Sequence, residues 1–143
     1  GYVRVSTANG SSTAVGAASA FRVGDLGFVR VARPVPRRLQ PARSVTAGAS
    51  VVVVTEGNGT IRTVPGVVVD TVQGATYGVR TPVLRLTSAI EKGDTGPVLD
   101  ANGRVIGAVF GVDARTTLGL AVPVSALRGR APARTLEALD ACD

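Results

Sequence analysis

The stretch EKGDTGPVLDANGRVIGAVFGV, Glu91 to Val112, decides the reading of this chain. Its second half is a hairpin. Apolar residues flank Asn102-Gly103 on both sides, and Asn-Gly suits a tight turn because both central positions take positive φ. Its first half is a different object. An acid and a hydroxyl, Asp94 and Thr95, stand between Gly93 and Gly96, and Pro97 closes the segment. A nucleophile needs such a tight turn, with backbone N–H groups converging on the charge that develops on a carbonyl oxygen. Gly93 gives the freedom for the turn, and the amides of Gly93 and Thr95 are the candidate donors.

Outward from this stretch, the chain reads as strands. YVRVST (Tyr2 to Thr7) alternates and ends at Asn9-Gly10. STAVGAASAFRV predicts one long, small-residue strand running to Val23. LGFVRVARP is a strand from Leu26 stopped by Pro34. A proline- and arginine-rich stretch then marks a linker, and a boundary is expected near Arg38 to Thr46. Beyond it, SVVVVTE and TIRTVPGVVVDTVQ are strands, the second with Pro65-Gly66 predicting an edge or a bulge. YGVRTPVLRLTSA, the Asn-Gly hairpin and TTLGLAVPVSAL follow. APARTLEALDAC reads as a closing helix with Pro132 near its first turn.

Composition agrees with this pattern. The chain has 143 residues and is 45% apolar, so it can bury a sizeable core. Its apolar content is mostly Val and Ala, and its eighteen glycines and eight prolines separate many short strands. Net charge is +6, read as a solvated surface, and fifteen of the sixteen basic residues are Arg, a bias that reflects a GC-rich genome more often than a ligand. Aromatics make up only 3%, so a stacking platform for single-stranded nucleic acid is not expected. With no His and a single Cys, soft metal sites lack a ligand set, and no metal or other cofactor is expected. No run of about 18 apolar residues predicts a membrane-spanning helix. The chain holds no Met, which predicts a piece of something longer.

Two matches in the right order carry a resemblance. Gly93-Asp94-Thr95-Gly96-Pro97, the strand after it and the Asn-Gly turn resemble the nucleophile segment of the trypsin/chymotrypsin serine protease superfamily. Asp25-Leu26-Gly27-Phe28-Val29-Arg30-Val31 resembles the strand that carries the family's triad aspartate. Leu118 to Leu127 resembles the last strand and the start of the C-terminal helix. The likeness is greatest to the HtrA-like and MarP-like bacterial branches. It implies an all-β fold, the chymotrypsin-like double β-barrel, with the first barrel incomplete and a C-terminal helix. The expected parts are residues 1–38 as the remainder of the N-terminal barrel, 39–46 as linker, 47–128 as the C-terminal barrel and 129–143 as helix.

The resemblance also implies roles. Thr95 stands at the nucleophile position, Asp25 would orient the general base, and Gly93 with Thr95 would form the oxyanion donors. Ala89 and Ile90 would lie at the base of the substrate pocket, with Phe110, Gly111 and Val112 along its wall. With no acid there, the pocket would take small or apolar side chains of a peptide or protein. Cys142 matches the C-terminal half of a disulfide whose partner, in MarP-type relatives, lies upstream of the histidine. The location implied is periplasmic or extracellular in a bacterium, with membrane attachment only through a segment upstream.

The chain departs from the family in three ways. It has no histidine, and a hydroxyl without a base is a weak nucleophile. Threonine replaces serine, and its extra methyl restricts χ1 and crowds the oxyanion site. One glycine, Gly96, stands where the family has two. Losing a residue there would turn Val98 and Leu99 to opposite faces unless the loop absorbs the change. Two readings stay open: a fragment whose histidine lies upstream, and a pseudo-protease used for binding or scaffolding.

Overall fold

The computed structural model of the chain describes residues 39–57 and 60–127, together with four strands nearer the N-terminus. These are β1 (Tyr2–Ser6), β2 (Ser12–Gly16), β3 (Ala20–Val23) and β4 (Leu26–Val29). They pair as two antiparallel hairpins, β1 with β2 and β3 with β4. The long strand expected over STAVGAASAFRV is therefore two strands in two separate sheets. Its middle is Gly, Ala and Ser, which offer no alternation of large and polar side chains to hold one continuous register.

The chain divides into two compact units, residues 1–37 with 130–143, and residues 38–129. The second unit is a closed six-stranded barrel. Its strands are β5 (Ser50–Gly57), β6 (Thr60–Val72), β7 (Val83–Ser88), β8 (Gly96–Asp100), β9 (Val105–Val112) and β10 (Gly119–Pro123). Around the barrel the order is β10-β7-β6-β5-β8-β9, with every neighbour antiparallel. Among the described residues, no helix is long and apolar enough to cross a membrane.

Alternation explains the interior. On β5, Val51, Val53 and Thr55 are buried, while Val52 and Glu56 are exposed. Val53 opposes Val64 on β6 and Val98 on β8, so three strands contribute one inward layer. Val68, Leu84, Leu86, Val109 and Ala121 belong to the same main cluster. Branched side chains of moderate size suit so narrow a barrel, and among the described residues the fully buried set holds no aromatic.

Closure uses three extra residues. Val69 on β6 lies between the pairs Val68–Leu86 and Asp70–Arg85. On β9, Ile106 lies between partners of Val98 and Leu99, and Phe110 between partners of Ala121 and Leu120. Each bulge bends its strand and raises the local twist. Of the edge or bulge expected at Pro65-Gly66, the structure shows the edge, and the bulge of β6 lies at Val69. Pro65 and Gly66 mark the place where β7 joins, since β7 pairs with β6 only from Gly66 onward. Proline has no N–H for a second ladder, so it stands just outside one.

Part of the expected linker adds to the barrel. Val105 donates its amide to Gln40 and accepts that of Ala42, both at 2.8 Å, which makes a parallel bridge at Pro41. Ala42 is buried in the main cluster. After β10 the chain enters a short helix, α1 (Val124–Leu127). The helix expected over 129–143 lies outside the described residues.

Candidate active site

The turn between β7 and β8, Ala89 to Thr95, holds the candidate chemistry. Gly93 has φ +96, a conformation glycine adopts at no steric cost. The Asp94 amide donates to the Glu91 carbonyl at 3.0 Å, and the Asp94 carboxylate accepts the Glu91 amide at 2.8 Å. The turn is thus closed twice by one residue. Asp94 is 7% exposed, and its carboxylate is ion-paired with Arg62 of β6. A buried carboxylate needs such partners, because an unpaired charge away from water is costly.

Arg62 arrives by strand parity. It opposes Thr55, which is 1% exposed, just as Val64 opposes Val53. Directly opposed residues share a face, so Arg62 belongs to the inner face of the β5–β6 ribbon. Alternation in TIRTV could have flagged a charge at an inward position that needs a partner. The identity of the partner, 32 residues away, could not be read from it.

Thr95 is exposed and opens directly into β8. Among the described residues, no acceptor takes the amides of Gly93 or Thr95. Two free amides two residues apart, beside an exposed hydroxyl, form an arrangement that can receive a peptide carbonyl oxygen. At the other side of Thr95, Gly96 has φ +153 and presses against the Val54 carbonyl. With this single glycine, Val98 still faces the core with no exposed surface.

The expected pocket residues are distributed as follows. Ala89 is exposed, and Ile90 is 6% exposed within the main cluster, with Val112 packed against that cluster. Gly119, opposite Val112, lies against the Ile90 side chain. Gly111 opposes Leu120. Phe110, re-aimed by its bulge, packs against Val79, Val83 and Leu120. Ile90 and Val112 are thus brought together with Gly119, while Phe110 joins a second apolar group. Gly119 was not singled out in the sequence, where it is one glycine among many. The Ser88 hydroxyl beside Gly119 is buried and has no partner among the described residues. Asp25 and Cys142 lie outside the described residues.

Comparison with known proteins places the fold. Rv3671c from M. tuberculosis H37Rv, as an inactive mutant, matches with TM-score 0.57 and 26% identity, over 72% of this chain and 55% of that one. The HtrA-type protease AlgW with a tripeptide matches with TM-score 0.68 and 17% identity, over 87% and 44%. The fold is that of the trypsin-like serine proteases. Deg5 matches at TM-score 0.56 and 18% identity, over 88% of this chain and 64% of that one. The chain thus spans about half the length of the protease structures it matches. No family model matches it, and no curated protein matches it. Within the protease fold, Thr95 stands on the turn that enters β8, and Asp94 is the buried anchor of that turn.

Proposed function

We propose that the chain is part of a trypsin-like serine protease domain that binds extended peptide through the Gly93–Thr95 turn and, as given, does not cleave it. The observation that carries this is the turn itself. It is formed and clamped by Asp94, its two amides are free among the described residues, and its nucleophile position holds an exposed hydroxyl. The reaction would need an imidazole, and the chain has no histidine to take the hydroxyl proton. Small or apolar side chains would be preferred next to Ile90, Val112 and Gly119. The AlgW match is a structure of that protease with a peptide, which supports a peptide ligand. The proposed location is periplasmic or extracellular in a bacterium, a reading that the likeness to these proteases supports.

A second reading has its own support. Thr95 keeps its hydroxyl exposed, and the turn is not collapsed. A longer parent supplying the histidine, with Asp25 to orient it, would then be a working peptidase. The test is cleavage of an unstructured protein substrate by the chain and by Thr95→Ala. No cleavage by either, together with measurable binding of an apolar peptide, is the expected result. Cleavage that disappears in Thr95→Ala would overturn the non-cleaving reading.

A further inference from the structure

We propose that Ser88 is a specificity-determining residue of the peptide site: its hydroxyl, covered by Ile90, selects a small ligand side chain that ends in a hydrogen-bonding group over a hydrocarbon of the same shape. The inference deepens the peptide-binding reading of this site and rests on it. Three observations meet here. First, Ser88 is an inward position. Strand faces alternate, Leu84 and Leu86 of β7 are buried, and Ser88 is the next residue of that face before the turn that carries Thr95. Second, its hydroxyl oxygen is buried and takes no partner among the described residues, although a buried hydroxyl is ordinarily bonded. Third, two glycines lie beside it and leave room. Ser88 opposes Gly66 on β6, and a Cβ on Gly119 of β10 would lie 3.2 Å from Ser88 Oγ and 2.5 Å from Ile90 Cδ1. The hydroxyl and the end of Ile90 thus converge over Gly119, whose neighbour across the ladder is Val112.

The consequence concerns which side chain is favoured. Ile90 is 6% exposed, and its Cδ1 fills the room above Gly119. A ligand side chain entering there displaces Cδ1, which a rotamer change at the end of Ile90 allows, and then meets Ser88 Oγ. A hydrocarbon leaves that hydroxyl unbonded. A side chain of equal volume that carries a hydroxyl or a thiol gives it a partner. Threonine and valine differ in just this way, as do serine and alanine. Ser88 therefore adds a preference that Ile90, Val112 and Gly119, with no polar side-chain atoms, cannot supply.

The experiment is calorimetric titration of the whole chain, unaltered and as Ser88→Ala, with blocked peptides acetyl-Ala-Ala-Ala-X-amide in which X is threonine or valine. The unaltered chain should bind the threonine peptide about fivefold more tightly, the worth of one net hydrogen bond. In Ser88→Ala the two affinities should become equal, through loss on the threonine side alone. Thermal unfolding of Ser88→Ala without peptide should give a Tm no lower than that of the unaltered chain, because no bond within the fold is removed. Equal affinities in the unaltered chain, or a threonine preference that survives Ser88→Ala, would overturn the proposal. So would a lower Tm, which marks a hydroxyl already bonded in the fold. Ile90→Val, which removes Cδ1, should tighten binding of the threonine peptide, and weaker binding would overturn the covering role of Ile90. Binding of neither peptide ends the peptide-binding reading and this inference with it, whereas equal binding of both ends this inference alone.

Discussion

Gly96 lies so close to Val54 that a Cβ built on it would fall 1.8 Å from the Val54 carbonyl oxygen. That atom is backbone in the middle of β5 and cannot swing aside. The same residue has φ +153, where a side chain is strained whatever the space. Gly96→Ala is therefore expected to cost about 3 kcal/mol or more, combining overpacking with backbone strain. Urea unfolding followed by circular dichroism checks this. A shift in midpoint no larger than that of a surface substitution would mean that the turn can move away from β5.

Gly119 presents the opposite case. A Cβ there would meet Ile90 Cδ1 at 2.5 Å, and the next contacts are 3.2 Å away. The obstacle is the end of a side chain, which can change rotamer at a cost of about 1 kcal/mol. Gly119→Ala should thus be mild in stability and visible in specificity, because Ile90 must leave its place between Gly119 and the core. Peptide binding compared across a series of apolar side chains reads this out. An unchanged order of preference would remove Ile90 and Gly119 from the pocket.

These contrasts show what a sequence carries in its letters. The hairpin at Asn102-Gly103 was legible because turn dipeptide and apolar flanks agree, and Gly103 indeed has φ +72. The turn before β8 was legible as a turn because glycines, an acid and a hydroxyl fall within a few residues, and Gly93 takes φ +96. The bulge at Phe110 was not, since one extra residue in an apolar run leaves its alternation looking intact. Arg62 shows a middle case. Parity put a charge on the core-facing side of β6, where its side chain stays 40% exposed, but its partner is on another strand connection, and pairing across such a separation leaves no local trace. The split between β2 and β3 was missed because small residues fit either face equally well.

Asp113 gives a pH prediction. Its carboxyl is held below the ordinary value of 3.8 by the Thr116 hydroxyl first, then by the Arg115 amide, with Tyr77 also donating to it. A lowered folded value means stability that is fully present above the ordinary carboxylate range and lost as pH falls through the lowered value. Asp70 behaves in the same direction, chiefly through its hydrogen bonds from Arg85. Asp113→Asn should flatten part of the acid limb of the Tm-against-pH curve and leave the remainder due to Asp70. An acid limb identical to that of the unaltered chain would mean that the β9–β10 loop is not closed by the Asp113 charge in solution.

Restoring the loop separates a fragment of a working enzyme from a pseudo-protease. In a longer protein whose upstream segment supplies a histidine, Thr95→Ser combined with a glycine inserted after Gly96 restores the loop of the resembled family. The inserted residue would release the contact between Gly96 and Val54, and the serine would remove the extra methyl of the threonine, which restricts χ1. Strand β8 would keep its place, because Val98 is fixed inward by Val53 on one side and Gly107 on the other. The amides of Gly93 and Thr95 could then reach a carbonyl oxygen with better aim, and correctly placed oxyanion donors are worth about 10²–10³ in rate. A once-working enzyme, with its base and Asp25 still aligned, should gain peptidase activity on that scale. A drifted pseudo-protease should gain none. If the unaltered parent already cleaves as fast as the restored one, Thr95 is a competent nucleophile and the non-cleaving reading of this turn fails.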